Sequence, residues 1–377
     1  MRKFIFFAAV CMALAVLSGC AGKTEAVESD DVTIVKIMKP GSIRDFGNVL
    51  SEFSEENPDI RVKFVDAPTG MLERHALYVS AMSGRDSSVD IYWLNDDWIS
   101  EFARYGYINP LDESFNAEHE KNIIDTKKCF EYENRLYALP VGIDTDILYY
   151  RNDELPNLPE EWDKLDESGF EGICAENRDG ADMIYNIMSI KQSMGLSYAR
   201  ALNLYGKLIS GTGTGDEDAA SAFKTGKTKM FLGKASDYAE MNSSASSIKG
   251  KFSVISDLGS DGGRFVSGYG MGINANSKNI AAAVRVLEFM NNADVQKQLA
   301  RSCSLMPVIR SLYDDEMVLY DNPHFKELVR TAENAVLYSS LDIGGERLVR
   351  LNNAVNTYLS GGSDENTAGA VFEEELN

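Results

Sequence analysis

Val32-Thr33-Ile34-Val35-Lys36-Ile37-Met38 opens the first folding unit of the chain, and Val89-Asp90-Ile91-Tyr92-Trp93-Leu94 closes it. Both are short apolar runs rich in β-branched and aromatic side chains, as expected of strands covered on both faces. Between them Ile60, Val62 and Phe64 alternate with Arg61 and Lys63, which describes a strand with one wetter face. The intervals carry helical spacing. Phe46, Val49, Leu50 and Phe53 share one face of a helix that ends at Asn57-Pro58, and Leu72 to Met82 forms a second. Strand, helix, strand, helix, strand is the order of a parallel sheet with crossover helices, so the fold class is α/β.

Outward from this unit the pattern changes. An extended segment is expected over 134–140 and strands at 147–150, 230–232, 252–255 and 264–274. Helices are expected over 181–194 and 198–209, and a long helix from about Ile280 to Ala300 with Ile280, Val284, Leu287 and Asn291 along one side. Ser277 or Asn279 would cap it. Helical patterns fill 311–319, 323–338 and 344–359, without a strand signal.

The chain has 377 residues, 44% of them hydrophobic, which suits two domains or one large one. A net charge of -21 argues against nucleic acid and anionic membrane surfaces as partners, because neutralising phosphates requires clustered Lys and Arg. No second long apolar run follows the first twenty residues, which excludes a multi-span membrane protein.

Those first residues read as an address. Arg2 and Lys3 precede an apolar run from Phe4 to Leu17, followed by Ser18, Gly19 and Cys20. Leu17-Ser18-Gly19-Cys20 resembles the bacterial lipobox, which would make residues 1–20 a signal peptide and Cys20 the lipidated mature N-terminus. The competing reading is an ordinary secretory signal with a coincidental Cys. Residues 21–30 are small, polar and acidic, as suits a tether. Of the remaining cysteines, Cys129, Cys174 and Cys303, either two form a disulfide or all three are buried thiols. His75, His119 and His324 are scattered and read as surface residues, and no metal-ligand spacing occurs.

Catalytic signatures fail on inspection. Gly226-Lys227-Thr228 lacks the first P-loop glycine, whose position holds Ser221, and Gly211, Gly213 and Gly215 do not complete GxGxxG. Carboxylate pairs occur at Asp96/Asp97, Asp144/Asp146 and Glu160/Glu161, so a lipid-anchored glycoside hydrolase stays open. It would need two carboxyls about 5–5.5 or 6.5–9.5 Å apart across a cleft. A structural or adhesive envelope lipoprotein is a third class.

Several segments together resemble the bacterial extracellular solute-binding proteins of family 1, the sugar-type receptors of ABC importers. They are FSEENPDIRVKF, SSVDIYWLNDDWISEFARYGYINPLDE, RLYALPVGIDTDILYYRNDELP, the PEEW around Trp162, FKTGKTKMFLG, and the run from Gly268 to Asp315 with Gln296 or Gln298 and Pro307. The resemblance implies a two-lobe periplasmic-binding-protein-like fold (type II) with a ligand cleft between the lobes. Lobe one would be 31–140 plus 262–306, and lobe two 141–261 plus 307–377, with crossings near Pro140–Gly142, Asp261–Gly263 and Met306–Pro307. It also implies a permease with its ATPase as partners, a monomer held to the cell envelope by its lipid alone, and no cofactor or metal. The ligand would be a mono- or oligosaccharide, with a polyamine or a phosphorylated polyol as the alternative.

Ligands of open α/β sheets sit beyond the carboxyl ends of strands. Sugars need flat apolar faces for their C–H side and carboxylates or amides for their hydroxyls. The expected ligand-binding residues are therefore Trp93, Asp96, Asp97 and Trp98 after the third strand, Asp144 after the first crossing, and Tyr269 between two glycines. Ser42, Tyr238 (in the stacking role the family gives to that region) and Arg347 complete the set. The competing reading puts Trp93 in the core and Trp98 at a helix start, and gives Arg347 a surface ion pair.

Overall fold

A computed structural model describes residues 32–43, 49–111, 115, 129–158, 164–165, 173–175, 181–209, 218–255, 265–341 and 346–376. Cys20, the tether, His119, the PEEW segment and the expected crossing at 261–263 lie outside the described residues.

Strand β1 (Thr33–Pro40) lies between β2 (Ile60–Ala67) and β3 (Ile91–Asn95), parallel to both. Helices α1 (Leu50–Glu56) and α2 (Met71–Ser83) make the crossovers. α3 (Ile99–Arg104) follows β3 after a single 3-10 turn, Asp96–Trp98. All five residues of β3 are buried, with β1 and a later strand flanking it in the sheet. After a small hairpin of β4 (Glu131–Tyr132) and β5 (Arg135–Leu136), β6 (Leu139–Asp144) joins the same sheet.

One residue later the chain leaves it. β7 (Asp146–Tyr150) belongs to a second sheet with β8 (Ile173–Ala175), β9 (Met230–Lys234) and β10 (Ser253–Ile255), in the order β10-β7-β9-β8. The crossing is thus at Thr145, three residues beyond the expected one. The Thr145 hydroxyl donates to the Phe265 carbonyl (3.0 Å), tying the crossing to the strand that returns. Helices α4 (Ala181–Met194), α5 (Tyr198–Ile209), α6 (Ala219–Lys224) and α7 (Tyr238–Met241) accompany the second sheet. β11 (Phe265–Ile273) then pairs antiparallel with both β3 and β6 in the first sheet. Its glycines let neighbours close in: a Cβ on Gly270 would stand 2.6 Å from the Phe130 ring.

The long helix expected after β11 is two, α8 (Ile280–Met290) and α9 (Ala293–Cys303), the second carrying Gln296 and Gln298 as the family resemblance implied. Asn292 interrupts it: its side chain accepts the Asp294 N–H (2.9 Å) and so begins a new helix. The buried face of α8 is Ala283, Val286, Leu287 and Met290, while Ile280 is exposed, so the expected stripe was rotated. Met306 accepts from the Ile143 N–H at 2.9 Å, which places a third passage beside the Thr145 crossing. α10 (Glu316–Asp321) and α11 (Phe325–Glu333) pack on the core of the second sheet. The chain then adds β12 (Val336–Leu337) to β11 in parallel, a strand without a sequence signal because it is two residues long. α12 (Glu346–Leu359) and α13 (Glu365–Leu376) pack against α4 and α5.

Candidate functional site

Between the two sheets lies a cleft of about 360 Å³, lined from both sides. The first sheet contributes the ends of its strands. Ser42 follows β1, Thr69 and Gly70 follow β2, and Asn95 ends β3, as expected for ligand positions in such sheets. From the start of α2 comes Arg74, only 4% exposed. Its guanidinium donates to the carbonyls of Pro68 (3.3 Å) and Thr69 (2.7 Å) and to Asn95 Oδ1 (3.1 Å), and it lies over the Trp98 ring at 5.2 Å.

Asp144 enters from the crossing. Its carboxylate accepts from the Thr145 N–H (3.0 Å), the Ser236 N–H (3.2 Å) and the Ser236 hydroxyl (2.5 Å), so it links the two sheets. Burial pushes its pKa up to about 6, against the opposing effect of these donors and of Lys234. Opposite, β9 ends in Lys234, whose ammonium pairs with Asp146 at 2.7 Å. Tyr149 donates its hydroxyl to the Lys234 carbonyl (2.7 Å) from within the core. Tyr185 and Asn186 of α4, together with Ser267 and Tyr269 of β11, complete the wall. The Oδ1 of Asn186 is buried without a hydrogen-bond partner. Such an arrangement offers hydroxyl partners, two aromatic rings and one buried cation.

Of the expected ligand-binding residues, Ser42, Asp144 and Tyr269 line this cleft. The others lie outside this lining. Trp93 is 0% exposed and packs behind Tyr269 (ring centroids 6.2 Å apart), so it supports the lining ring without reaching the cleft itself. Asp96 is buried and accepts from the N–H groups of Gly268 (2.9 Å) and Ser339 (3.1 Å), bracketing β11 and the segment after β12. Burial raises its pKa. Trp98 is 4% exposed, in edge contact with Tyr78 and His75.

Asp97 and Trp98 face a second hollow of about 580 Å³ with His75, Leu348 and Val349, which meets the cleft at Met71. Asp97 accepts the Tyr185 hydroxyl (3.2 Å), and burial with Asp96 beside it pushes its pKa to about 7. Tyr238 stacks on His324 (4.4 Å) and abuts Phe252, outside the cleft lining. Arg347 lies 3.8 Å from Glu375 on the outer helices. These six share one cause: the sequence marks a residue type near the expected cleft, but the side chain turns to whichever face packing leaves open.

His324 is likewise corrected from surface to buried, and desolvation drives its pKa down to about 3. Cys129, Cys174 and Cys303 are buried thiols with no disulfide between them. Arg74, Tyr185 and Asn186 were missed. They sit in helices whose patterns read as amphipathic packing, and only the close approach of the two sheets brings them together.

Residues 41–297 match the pattern of the bacterial extracellular solute-binding proteins. The chain belongs to that family. Family members of this kind are solute receptors of ABC importers working outside the cytoplasm, and both family and fold are those of binding proteins. A probable ABC transporter-binding protein of Deinococcus radiodurans is 24% identical over 321 residues, 73% of this chain and 75% of that protein. A putative binding protein of Brucella abortus is 25% identical over 70% of this chain and 72% of its own length. Among solved structures, the maltose-bound MalE3 of T. maritima superposes with a TM-score of 0.80 at 22% identity, covering 91% of this chain and 98% of its own. The GacH receptor of Streptomyces glaucescens gives 0.76 at 21%, with 91% and 98% covered. The likeness establishes the two-lobe type II periplasmic-binding-protein fold for this solute-binding protein, with the cleft between its lobes. Among the described residues no helix is long and apolar enough to cross a membrane, and no cluster of metal ligands occurs.

Proposed function

We propose that this receptor captures a carbohydrate in the cleft, closes its lobes over it and delivers it to a permease as a monomer tethered through Cys20. The observation that carries the reading is the composition of the cleft. Tyr269 and Tyr185 offer aromatic faces, while Ser42, Asp144, Asn186 and Ser267 offer donors and acceptors for hydroxyls, drawn from both lobes. Tyr269, Asp144 and Ser42 belong to the first lobe, which we take as roughly 31–140 plus 262–306 with the short crossing that follows it. The second lobe is 146–261 plus 307–377, apart from β12. A ligand touching both lobes stabilises the closed state by the difference in its contacts between the open and closed forms. The solved relatives bound to maltose, to acarbose and to D-mannitol support a polyhydroxylated ligand.

A thermal-shift screen tests this: mono- and oligosaccharides against polyamines and amino acids. A ligand at 100 times its Kd adds about 2.7 kcal/mol to the stability of the folded form. A shift with sugars that Tyr269→Ala abolishes is the expected result. A shift with polyamines or amino acids and none with any sugar overturns the carbohydrate reading. For the tether, Cys20→Ala should move the protein from the membrane pellet to the soluble fraction, and retention in the pellet would refute lipidation at that residue.

A further inference from the structure

Arg74 brings to the cleft a buried positive charge that neutral hydroxyls do not balance. It is 4% exposed, yet among the described residues its guanidinium meets two backbone carbonyls, an amide oxygen and an indole face, and no carboxylate. Its Nε–H is buried without any hydrogen-bond partner. A guanidinium taken out of water is costly unless an opposite charge or a full set of acceptors meets it. In most proteins an Asp or Glu would supply that charge. Here a side chain already lining the ligand cleft lacks one.

The second orphan is of opposite character. Asn186 Oδ1 is an acceptor in the same lining, on a residue 2% exposed. A donor and an acceptor are thus both unanswered in one cleft. A ligand with an anionic group for Arg74 and a hydroxyl for Asn186 would satisfy both.

The rest of the wall limits how much negative charge the ligand can carry. Lobe two presents Asp237 and Glu240 beside Asp146, whose charge Lys234 balances, as Lys224 does for Glu240. A phosphate monoester brings about -1.5 to -2 charges at neutral pH, against this acidic side, and a carboxylate brings one. Planar two-oxygen groups also suit the guanidinium fork.

We infer that the ligand is an acidic sugar, a polyhydroxylated compound whose carboxylate is recognised by Arg74. This rests on the carbohydrate reading above and narrows it to a charged class.

Calorimetric titration of the purified full chain with D-galacturonate and D-glucuronate, against D-galactose, D-glucose and glucose 6-phosphate, tests it. The uronates should bind at least tenfold more tightly than the neutral sugars. Arg74→Gln should lose at least tenfold for the uronates and a distinctly smaller factor for neutral sugars, with Arg74→Lys in between. Raising the salt concentration should weaken uronate binding and leave neutral-sugar binding unchanged, a readout on the unaltered protein that stands even where Arg74→Gln fails to fold. Neutral sugars bound as tightly as their acids would overturn the inference and leave the carbohydrate reading intact. Equal losses for both classes in Arg74→Gln would reduce Arg74 to a positioning residue and overturn it too. Preference for the sugar phosphate would overturn the carboxylate assignment. Silence from every sugar would remove both readings together.

Discussion

Replacing Asp144 by Asn should stabilise the protein above about pH 6 and change little near pH 4. The carboxyl is 1% exposed, and its burial moves the pKa from 3.8 to about 6 even though three donors and Lys234 favour the charged form. Between those values the folded chain keeps a proton that the unfolded chain has released. Stability from this group is therefore complete below pH 3.8 and lost as pH rises through about 6. Two units at about 1.4 kcal/mol each amount to roughly 3 kcal/mol. The amide is neutral throughout, its oxygen still accepts the Thr145 and Ser236 N–H groups, and the Ser236 hydroxyl can turn to accept from its nitrogen. Urea unfolding of both proteins from pH 4 to pH 8 reads the effect. Their difference in stability should grow by roughly 3 kcal/mol in favour of Asp144→Asn across that range. A flat difference would show that the carboxyl is not raised. A variant less stable at pH 7 would show that Asp144 is ionised there and held by Ser236 and Lys234 at a net gain.

Tyr238→Ala removes the ring stacked on His324 and should cost about 2 kcal/mol while leaving ligand affinity within twofold; a tenfold loss of affinity would put Tyr238 back in the cleft. Gly142→Ala places a Cβ 2.4 Å from the buried Leu305 side chain beside the lobe crossing. Overpacking of that kind should cost about 1–3 kcal/mol in urea unfolding, and an unchanged midpoint would refute the contact. Arg350→Ala breaks a two-pronged pair with Glu375, but the arginine is half exposed, so the urea midpoint should move only slightly and binding should not change. A larger loss would mean that the α12–α13 junction depends on this pair.

The sequence by itself determined the elements of the first unit. β1, β2 and α2 match their expected ranges within two or three residues, and α4 and α5 match to the residue, because apolar periodicity is a local property of the chain. It also carried the family, through motifs spread in order along the chain. The side of each strand that faces the ligand was not local. β3 is buried on both faces, so alternation gave no clue that Trp93 turns inward while Asn95 turns to the cleft. Nor was the two-residue β12 readable, since its only cause is the edge that β11 presents. The cleft residues missed at first, Arg74, Tyr185 and Asn186, lie on two helices more than a hundred positions apart. Only the approach of the two lobes makes them neighbours of one cavity, and only burial there gives an arginine without a carboxylate its meaning.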